Sequence, residues 1–248
     1  MLLGVHACDI NALKILDKTY LRPPPDPYYK RRREKTIIIG VSCIPDEFCF
    51  CKSLGKDYAT DGFDLFLHKL PDGYLVRIGS PRGYSIIRRS LDLFSNVSGE
   101  DMRNLAEFEE RRARSFKKEV EVRAFTDLLD LSFDSQIWEE CGKMCIECGN
   151  CNLVCPTCWC YEVVDQWIDA ERASRIRRYD SCFTITHALV AGGYNFRPTK
   201  LDRFRHRYYC KSYSDPEDGV NCVGCGRCEE FCPAGISYPE VINRVIKG

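Results

Sequence analysis

The stretch CIECGNCNLVCPTCWC, residues 145–160, holds six cysteines within sixteen positions. Thiols this dense can be joined as disulfides, can hold zinc, or can hold a centre that moves electrons. The rest of the chain argues against the first. It carries 17 cysteines in 248 residues, an odd number, so at least one thiol stays unpaired. The opening MLLGVHACD is too short and too uncharged for a secretory signal, and no apolar run is long enough to span a bilayer. A cytoplasmic site is therefore expected, where thiols are kept reduced. A chain of this length buries a core without needing disulfides. Metal is the better account.

The spacing inside the stretch says which metal. Cys145-x2-Cys148-x2-Cys151-x3-Cys155-Pro156 returns as Cys222-x2-Cys225-x2-Cys228-x3-Cys232-Pro233. Two-cluster ferredoxins bind [4Fe–4S] cubanes with this run, the fourth cysteine of each copy ligating the other cube. That crossing assigns Cys145, Cys148, Cys151 and Cys232 to one cluster and Cys222, Cys225, Cys228 and Cys155 to a second. Pro156 and Pro233 turn the chain away after the last ligand, and Gly149 and Gly226 let backbone approach sulfide closely. A single C-x2-C is weak and often means zinc; two complete copies, each ending in Cys-Pro, are specific.

Outward from the motif, three regions are expected: an α/β domain over 1–98, a helical linker over 99–135 and a helical ferredoxin-like domain over 136–248. LLGV and TIIIGV read as buried parallel strands with a crossover helix over Ile10 to Lys18, and Pro23 to Lys35 reads as a basic, proline-rich connector. GFDLFLHKLPDGYLVRIGS reads as a hairpin around Asp72-Gly73, completing a small sheet with few helices. From Ser98 a capping box opens a helix with a thin apolar stripe, Met102, Leu105, Phe108, Phe116 and Val120, and with Lys117 and Lys118 near its end. Sixty-six residues separate the two motifs, 156 through 221, with helix expected over Tyr161 to Arg178 and Thr184 to Val190. The fold class is α+β: a small N-terminal α/β domain, then a helical dicluster ferredoxin-type domain.

Four more thiols suggest a third site. Cys8 would end the first strand and Cys43 the second, which puts both at one edge of a parallel sheet, where ligands usually bind. Cys49 and Cys51 are two apart, and extended backbone would aim both the same way. A third [4Fe–4S] cluster, a zinc site and buried apolar cysteines are the readings open here. Cys141, Cys158, Cys160, Cys182 and Cys210 are expected to pack in the core, with Cys158 and Cys160 near enough to the first motif to shield a cluster. His6, His68, His187 and His206 show no metal spacing.

Lys plus Arg and Asp plus Glu each number 36, so the overall field attracts neither nucleic acid nor anionic membrane. The KRRR run at 30–33 is more simply a solvated or subunit-facing patch than a nucleic-acid handle. No G-x-G-x-x-G loop, Walker A run or acid–base constellation stands out, so nucleotide binding falls to a partner.

Taken together, GVHACDINALKILD (4–17), DPYYKRRRE (26–34), SCIPDEFCFCKSLG (42–55), CGNCNLVCPTCWCYEVVD (148–165), YDSC (179–182), VAGGYNFRP (190–198) and NCVGCGRCEEFCP (221–233) resemble the iron–sulfur β subunit of cytoplasmic sulfhydrogenases. They are similar also to the corresponding subunit of anaerobic sulfite reductase. The resemblance runs over almost the whole chain. It implies an electron-transfer protein that links a catalytic subunit to a flavin subunit handling NAD(P)H, and it favours Cys8, Cys43, Cys49 and Cys51 as ligands. Members of that family usually carry a further segment before the GV-x-x-CD strand, so this sequence is expected to be a shortened variant or to have that portion supplied by another chain. The leading expectation is a relay subunit of a soluble, anaerobic oxidoreductase, of hydrogenase, formate dehydrogenase or sulfite reductase type. The alternative is a self-contained iron–sulfur enzyme acting on a small substrate at the N-terminal cysteines.

Overall fold

LLGV and IIGV are too short for a helix and rich in residues that suit a pleated, buried surface. In the computed structural model, which describes residues 1–121, 125–215 and 219–247, they form β1 (Leu2–Val5) and β2 (Ile38–Val41), paired in parallel with Leu2 opposite Ile38. Between them run α1 (Ala7–Leu21) and α2 (Pro27–Lys35). The connector expected over 23–35 is thus largely helix, because Asp26-Pro27 is an N-cap followed by proline at the first helical position. The Asp26 carboxylate accepts the Tyr29 amide at 2.8 Å. Arg33 and the Tyr29 hydroxyl both donate to Asp17, at 3.0 and 2.7 Å, fastening α2 to α1 and engaging part of the KRRR run internally.

The sheet continues with β3 (Leu65–Leu70), parallel to β2, and β4 (Gly73–Ile78), antiparallel to β3 around Asp72-Gly73, in the order β1-β2-β3-β4. Alternation along β2 sends successive side chains to opposite faces. Ile38 packs with Ala7, Ile10, Phe63 and Phe66 on the α1 face. Ile39 packs with Leu65 and Ile87, the latter from α3 (Pro81–Arg88). Next comes α4 (Gly99–Arg114), opened by a capping box in which Ser98 Oγ accepts the Asp101 amide at 3.1 Å and Asp101 accepts the Ser98 amide at 2.8 Å. The helix stops at Arg114, so Phe116, Lys117, Lys118 and Val120 lie beyond it. Within 1–98 three helices, α1, α2 and α3, accompany this sheet where few were expected, and α4 is the helix expected from Ser98.

By contacts the chain divides into two units, the first comprising Met1–Glu119 with Cys222–Cys225, the second Val120–Asn221 with Gly226–Gly248. The second contains α5 (Phe125–Leu131), α6 (Gln136–Met144), α7 (Asn150–Leu153), β5 (Tyr161–Trp167), β6 (Ala173–Tyr179), α8 (Lys200–Ser212), β7 (Ser214–Asp215), β8 (Gly219–Val220), α9 (Arg227–Glu230) and α10 (Tyr238–Lys247). Helices α5, α6, α8 and α10 close around Leu129, Trp138, Phe204, Tyr208 and Ile242. Tyr208 and Tyr238 stack at 4.8 Å between ring centres.

The helix expected over Tyr161 to Arg178 is instead the β5–β6 hairpin, with Tyr161 opposite Tyr179 and Trp167 opposite Ala173. Val163, Val164 and Ile176 favour strand, and Arg175 pairs across to Asp165 at 2.7 Å. Asp169 closes the turn by accepting the Glu171 and Arg172 amides. Over 184–190 the structure has a single 3₁₀ turn, Ile185–Ala188. The chain is α+β, and among the described residues no helix is long and apolar enough to cross a membrane.

One buried carboxylate ties the first unit's strands to α3. Asp64, 3% exposed, accepts from the Ile38 amide at 2.8 Å, from Ser80 Oγ and from Arg82 Nε at 3.2 Å. Burial works to raise its pKa, but the bonds from Ser80 and Ile38 and the Arg82 charge outweigh it and hold the carboxyl below its usual range. Its contribution is complete above the unfolded-state value and is lost as pH falls through the lower folded one. Asp64→Ala should cost about 2–4 kcal/mol at neutral pH, and the deficit against wild type should shrink below pH of about 3.9. Anaerobic urea denaturation across pH checks both; a pH-independent deficit would assign the effect to packing alone.

Candidate metal centre

The two cysteine runs have the same backbone. In the first, Cys145 caps the end of α6, the Glu147 amide points at Cys145 Sγ at 3.4 Å, and Gly149 in the left-handed region starts α7. In the second, the Gly224 amide points at Cys222 Sγ at 3.4 Å and Gly226, also left-handed, starts α9. Position three of each run is left-handed too: Gly224 at φ +66° and Glu147 at φ +58°. The Ile236 amide points at Cys232 Sγ at 3.4 Å. Backbone donors aimed at sulfur stabilise thiolate over thiol and tune a bound cluster.

Glu147 tolerates a conformation that costs a non-glycine residue about 1 kcal/mol. Its carboxylate holds the Arg203 guanidinium at 2.6 and 2.9 Å, and Arg203 also donates to the carbonyls of Arg197 and Pro198. Lys200 Nζ donates to the Cys145 carbonyl at 3.0 Å. Helix α8 thus clamps the first run.

Cys145, Cys148, Cys151 and Cys232 line one hollow in the second unit, together with Cys228, which the crossed spacing assigns to the other cluster. Its other walls include Ile146, Phe183, Phe204, Tyr208 and Ile236. These four thiols come from both copies of the motif and are the four that the crossed spacing groups together. Among the described residues no three His, Cys, Asp or Glu side chains close on a point as a single ion requires; the thiols stand around a space. Soft donors, apolar walls and amides aimed at sulfur fit an iron–sulfur cube.

Charge supports the fit. Arg207 and Lys211, one turn apart on α8, are 4% and 1% exposed. Arg207 donates to the Cys151 carbonyl at 3.0 Å and to Cys158 Sγ at 3.7 Å. Lys211 donates to Thr157 O and Oγ1 at 2.8 and 2.9 Å. The opposing charge available to them comes from Cys155, Cys158, Cys151 and Cys228 for Arg207, and from Cys155, Cys158 and Cys210 for Lys211. Burial pushes the Cys151 thiol up to about 11, against the pull of Arg207. A hydrogen bond from Cys158, with Lys211 and Arg207 nearby, pulls Cys155 well down.

Residues 144–236 match the family described as 4Fe-4S dicluster domain. Over all 248 residues the chain is 60% identical to the sulfhydrogenase 2 subunit beta of Pyrococcus furiosus, covering 74% of that protein's length. The chain belongs to the sulfhydrogenase β-subunit family. No solved structure matches it. As a family member it is an iron–sulfur, electron-transfer subunit of hydrogenase type carrying [4Fe–4S] clusters.

The structure places the third set of this sulfhydrogenase-family chain in the first unit, with two departures from expectation. Cys8 lies in the first turn of α1, not at a strand end, because β1 stops at Val5. Cys49 and Cys51 are not on extended backbone: Phe50 has ψ 22° and Cys51 begins a 3₁₀ turn, Cys51–Leu54. Cys43, Cys49 and Cys51 nonetheless lie within electrostatic reach of one another, and Asp9 of α1 reaches Cys43. Burial pushes all three thiols up, Cys49 to about 12. Arg112 of α4, missed at the sequence level, organises this loop. It donates to the Cys43 carbonyl at 3.0 Å and to Asp57 at 3.1 and 2.6 Å, and lies over the Tyr58 ring.

This loop also meets the second run. The Phe50 amide donates to the Gly224 carbonyl at 2.8 Å, and Cys49 Sγ lies 3.8 Å from the Cys225 carbonyl. A Cβ on Gly224 would stand 2.6 Å from the Cys51 backbone. Gly224→Ala, which adds that clash to a left-handed φ, should cost about 3 kcal/mol or more and lower the iron content. Glu147→Gly, at the matching position of the other run, should keep its iron. Anaerobic melts with iron analysis of both variants check this; a Gly224→Ala protein with wild-type stability would refute the close approach.

Proposed function

We propose that this chain relays electrons within a cytoplasmic, multisubunit oxidoreductase, connecting a catalytic subunit with a flavin/NAD(P)H or ferredoxin-linked subunit. The ligands would be Cys145, Cys148, Cys151 and Cys232 for one [4Fe–4S] cluster, Cys222, Cys225, Cys228 and Cys155 for a second, and Cys8, Cys43, Cys49 and Cys51 for a third. The observation that carries this reading is the hollow lined by five thiols drawn from both motif copies, Cys145, Cys148, Cys151, Cys228 and Cys232. When bound, each cube supplies a one-electron couple whose potential follows local charge, hydrogen bonds and exposure. The chain's part is to hold thiolates, aim the Glu147, Gly224 and Ile236 amides at sulfur, and exclude water with aromatic walls.

A small cavity beside Cys43 favours a second reading, substrate chemistry at the N-terminal site. It is lined by Arg112 and by His68, which is buried and has neither ring nitrogen hydrogen-bonded. Turnover of a small substrate by the isolated chain would support that reading; an inactive chain that restores electron flow on adding partner subunits supports the relay.

Iron and acid-labile sulfide on anaerobically purified protein should give about twelve irons from these three sites, about eight without the third. Cys43→Ser should lower iron by about one cubane, and unchanged iron with unchanged reduced-state EPR would remove the third site. Lys211→Met, which deletes a buried positive charge beside Cys155, should make the midpoint potential of a centre in the second unit more negative. EPR-monitored redox titration reads the shift, and identical potentials would uncouple that lysine from the clusters.

A further inference from the structure

Cys158, Cys160, Cys182 and Cys210 lie outside all three proposed ligand sets, and the fold gathers them from three segments of the second unit. Cys158 and Cys160 occupy the strap between the first motif and β5. Cys182 follows β6, and the hairpin register, Tyr161 opposite Tyr179, brings it to the same end as Cys160. The Asp180 amide donates to the Cys160 carbonyl at 3.2 Å, closing that end. Cys210 sits on α8, whose next residue, Lys211, donates to Thr157 and lies over the Trp159 ring. The helix is thereby laid against the strap.

We propose that these four cysteines ligate a further iron–sulfur cluster in the second unit, separate from the ferredoxin-type pair. Cys160, Cys182 and Cys210 are mutual electrostatic neighbours, every pair among them interacting. Cys158 stands between these three and the ferredoxin-type ligands: it hydrogen-bonds Cys155, and Asn152, a buried side chain whose Nδ2 donates to Cys182 Sγ at 2.9 Å, has its Oδ1 3.9 Å from both Cys158 Sγ and Cys151 Sγ. That amide also donates to Ser181 Oγ at 2.9 Å, so it is fixed between the two thiols. Four thiols from three chain segments, converging on one end of a hairpin, fill the ligand count of an all-cysteine cluster.

The alternatives fit less well. Packing cysteines are small apolar fillers, yet of the four only Cys182 is fully buried. A zinc ion needs its donors closed on a point, and among the described residues no three donors close so. Lys211 is buried within electrostatic reach of Cys155, Cys158 and Cys210, a cation that thiolates held by metal would balance.

The test is iron, sulfide and zinc analysis with EPR on the anaerobically purified full chain, comparing wild type with Cys182→Ser/Cys210→Ser and with Cys148→Ser. The double variant should lose about two or four irons with matching sulfide, according to cluster type, and should retain the reduced-state signals that Cys148→Ser removes. Wild-type iron in the double variant, or loss of one zinc in place of iron, overturns the proposal. If the double variant does not fold, Mössbauer spectra of Cys210→Ala, altered at a half-buried position, give the same decision: an unchanged set of iron sites overturns it. Full iron in both the double variant and Cys148→Ser would sink the relay reading as well. Full iron in the double variant alone sinks only this site.

Discussion

Two cations, Arg207 and Lys211, are sealed inside the second unit, and among the described residues no carboxylate lies within ion-pair distance of either. Carbonyls and hydroxyls satisfy some of their N–H groups but cannot neutralise them. Removing a charge from water without a counter-charge costs several kcal/mol after relaxation. What surrounds these two is sulfur: Cys151, Cys155, Cys158, Cys210 and Cys228. Burial keeps most of these thiols protonated, while a Cys158 hydrogen bond and the two cations pull Cys155 the other way. Metal ligation would take the protons from the rest and couple the burial of α8 to the loading of its thiols.

The duplicated run shows the same logic at the backbone. Each copy needs a left-handed residue at its third position so that an amide turns towards the first sulfur. The copies solve this differently because their surroundings differ. Gly224 has the Cys51 backbone pressed against it and has no room for a side chain. Position 147 lies against α8, and a glutamate there converts a strained residue into an anchor for Arg203. The sequence repeat is a repeat of conformation; its variations record what each copy packs against.

Much of this is legible in the sequence, for local reasons. The parallel β1–β2 pair, the hairpin at Asp72-Gly73 and the Ser98 capping box each follow from a few adjacent residues. The misses are non-local. The 161–179 segment carries enough Arg and Glu to read as a surface helix, and cross-strand pairing that no single-strand pattern reveals makes it a hairpin. Cys8 reads as a strand end because Gly4 and Val5 look like strand throughout; the chain turns into helix one step early. Cys158, Cys160, Cys182 and Cys210 show no chelating rhythm, since the intervals between them are bridged by a hairpin and a helix. The basic residues of RFRHRYYCK advertise a solvated helix, and only packing shows that three of them, Arg203, Arg207 and Lys211, are buried.

The thiol sets sit in opposite electrostatic settings. Around Cys43, Cys49 and Cys51 the first unit places Asp9, Asp46 and Asp57, while Arg112, paired with Asp57, pulls the other way on Cys43 and Cys51. Around Cys151, Cys155 and Cys158 the second unit places Arg207 and Lys211 without carboxylates. Reduction adds negative charge, so carboxylates oppose it and cations favour it, most strongly where water is excluded. With clusters bound as proposed, the carboxylates would pull the N-terminal site towards a more negative potential and the cations would pull the α8 side towards a more positive one. The buried cations of the second unit would then favour electrons on the α8 side of a reduced chain.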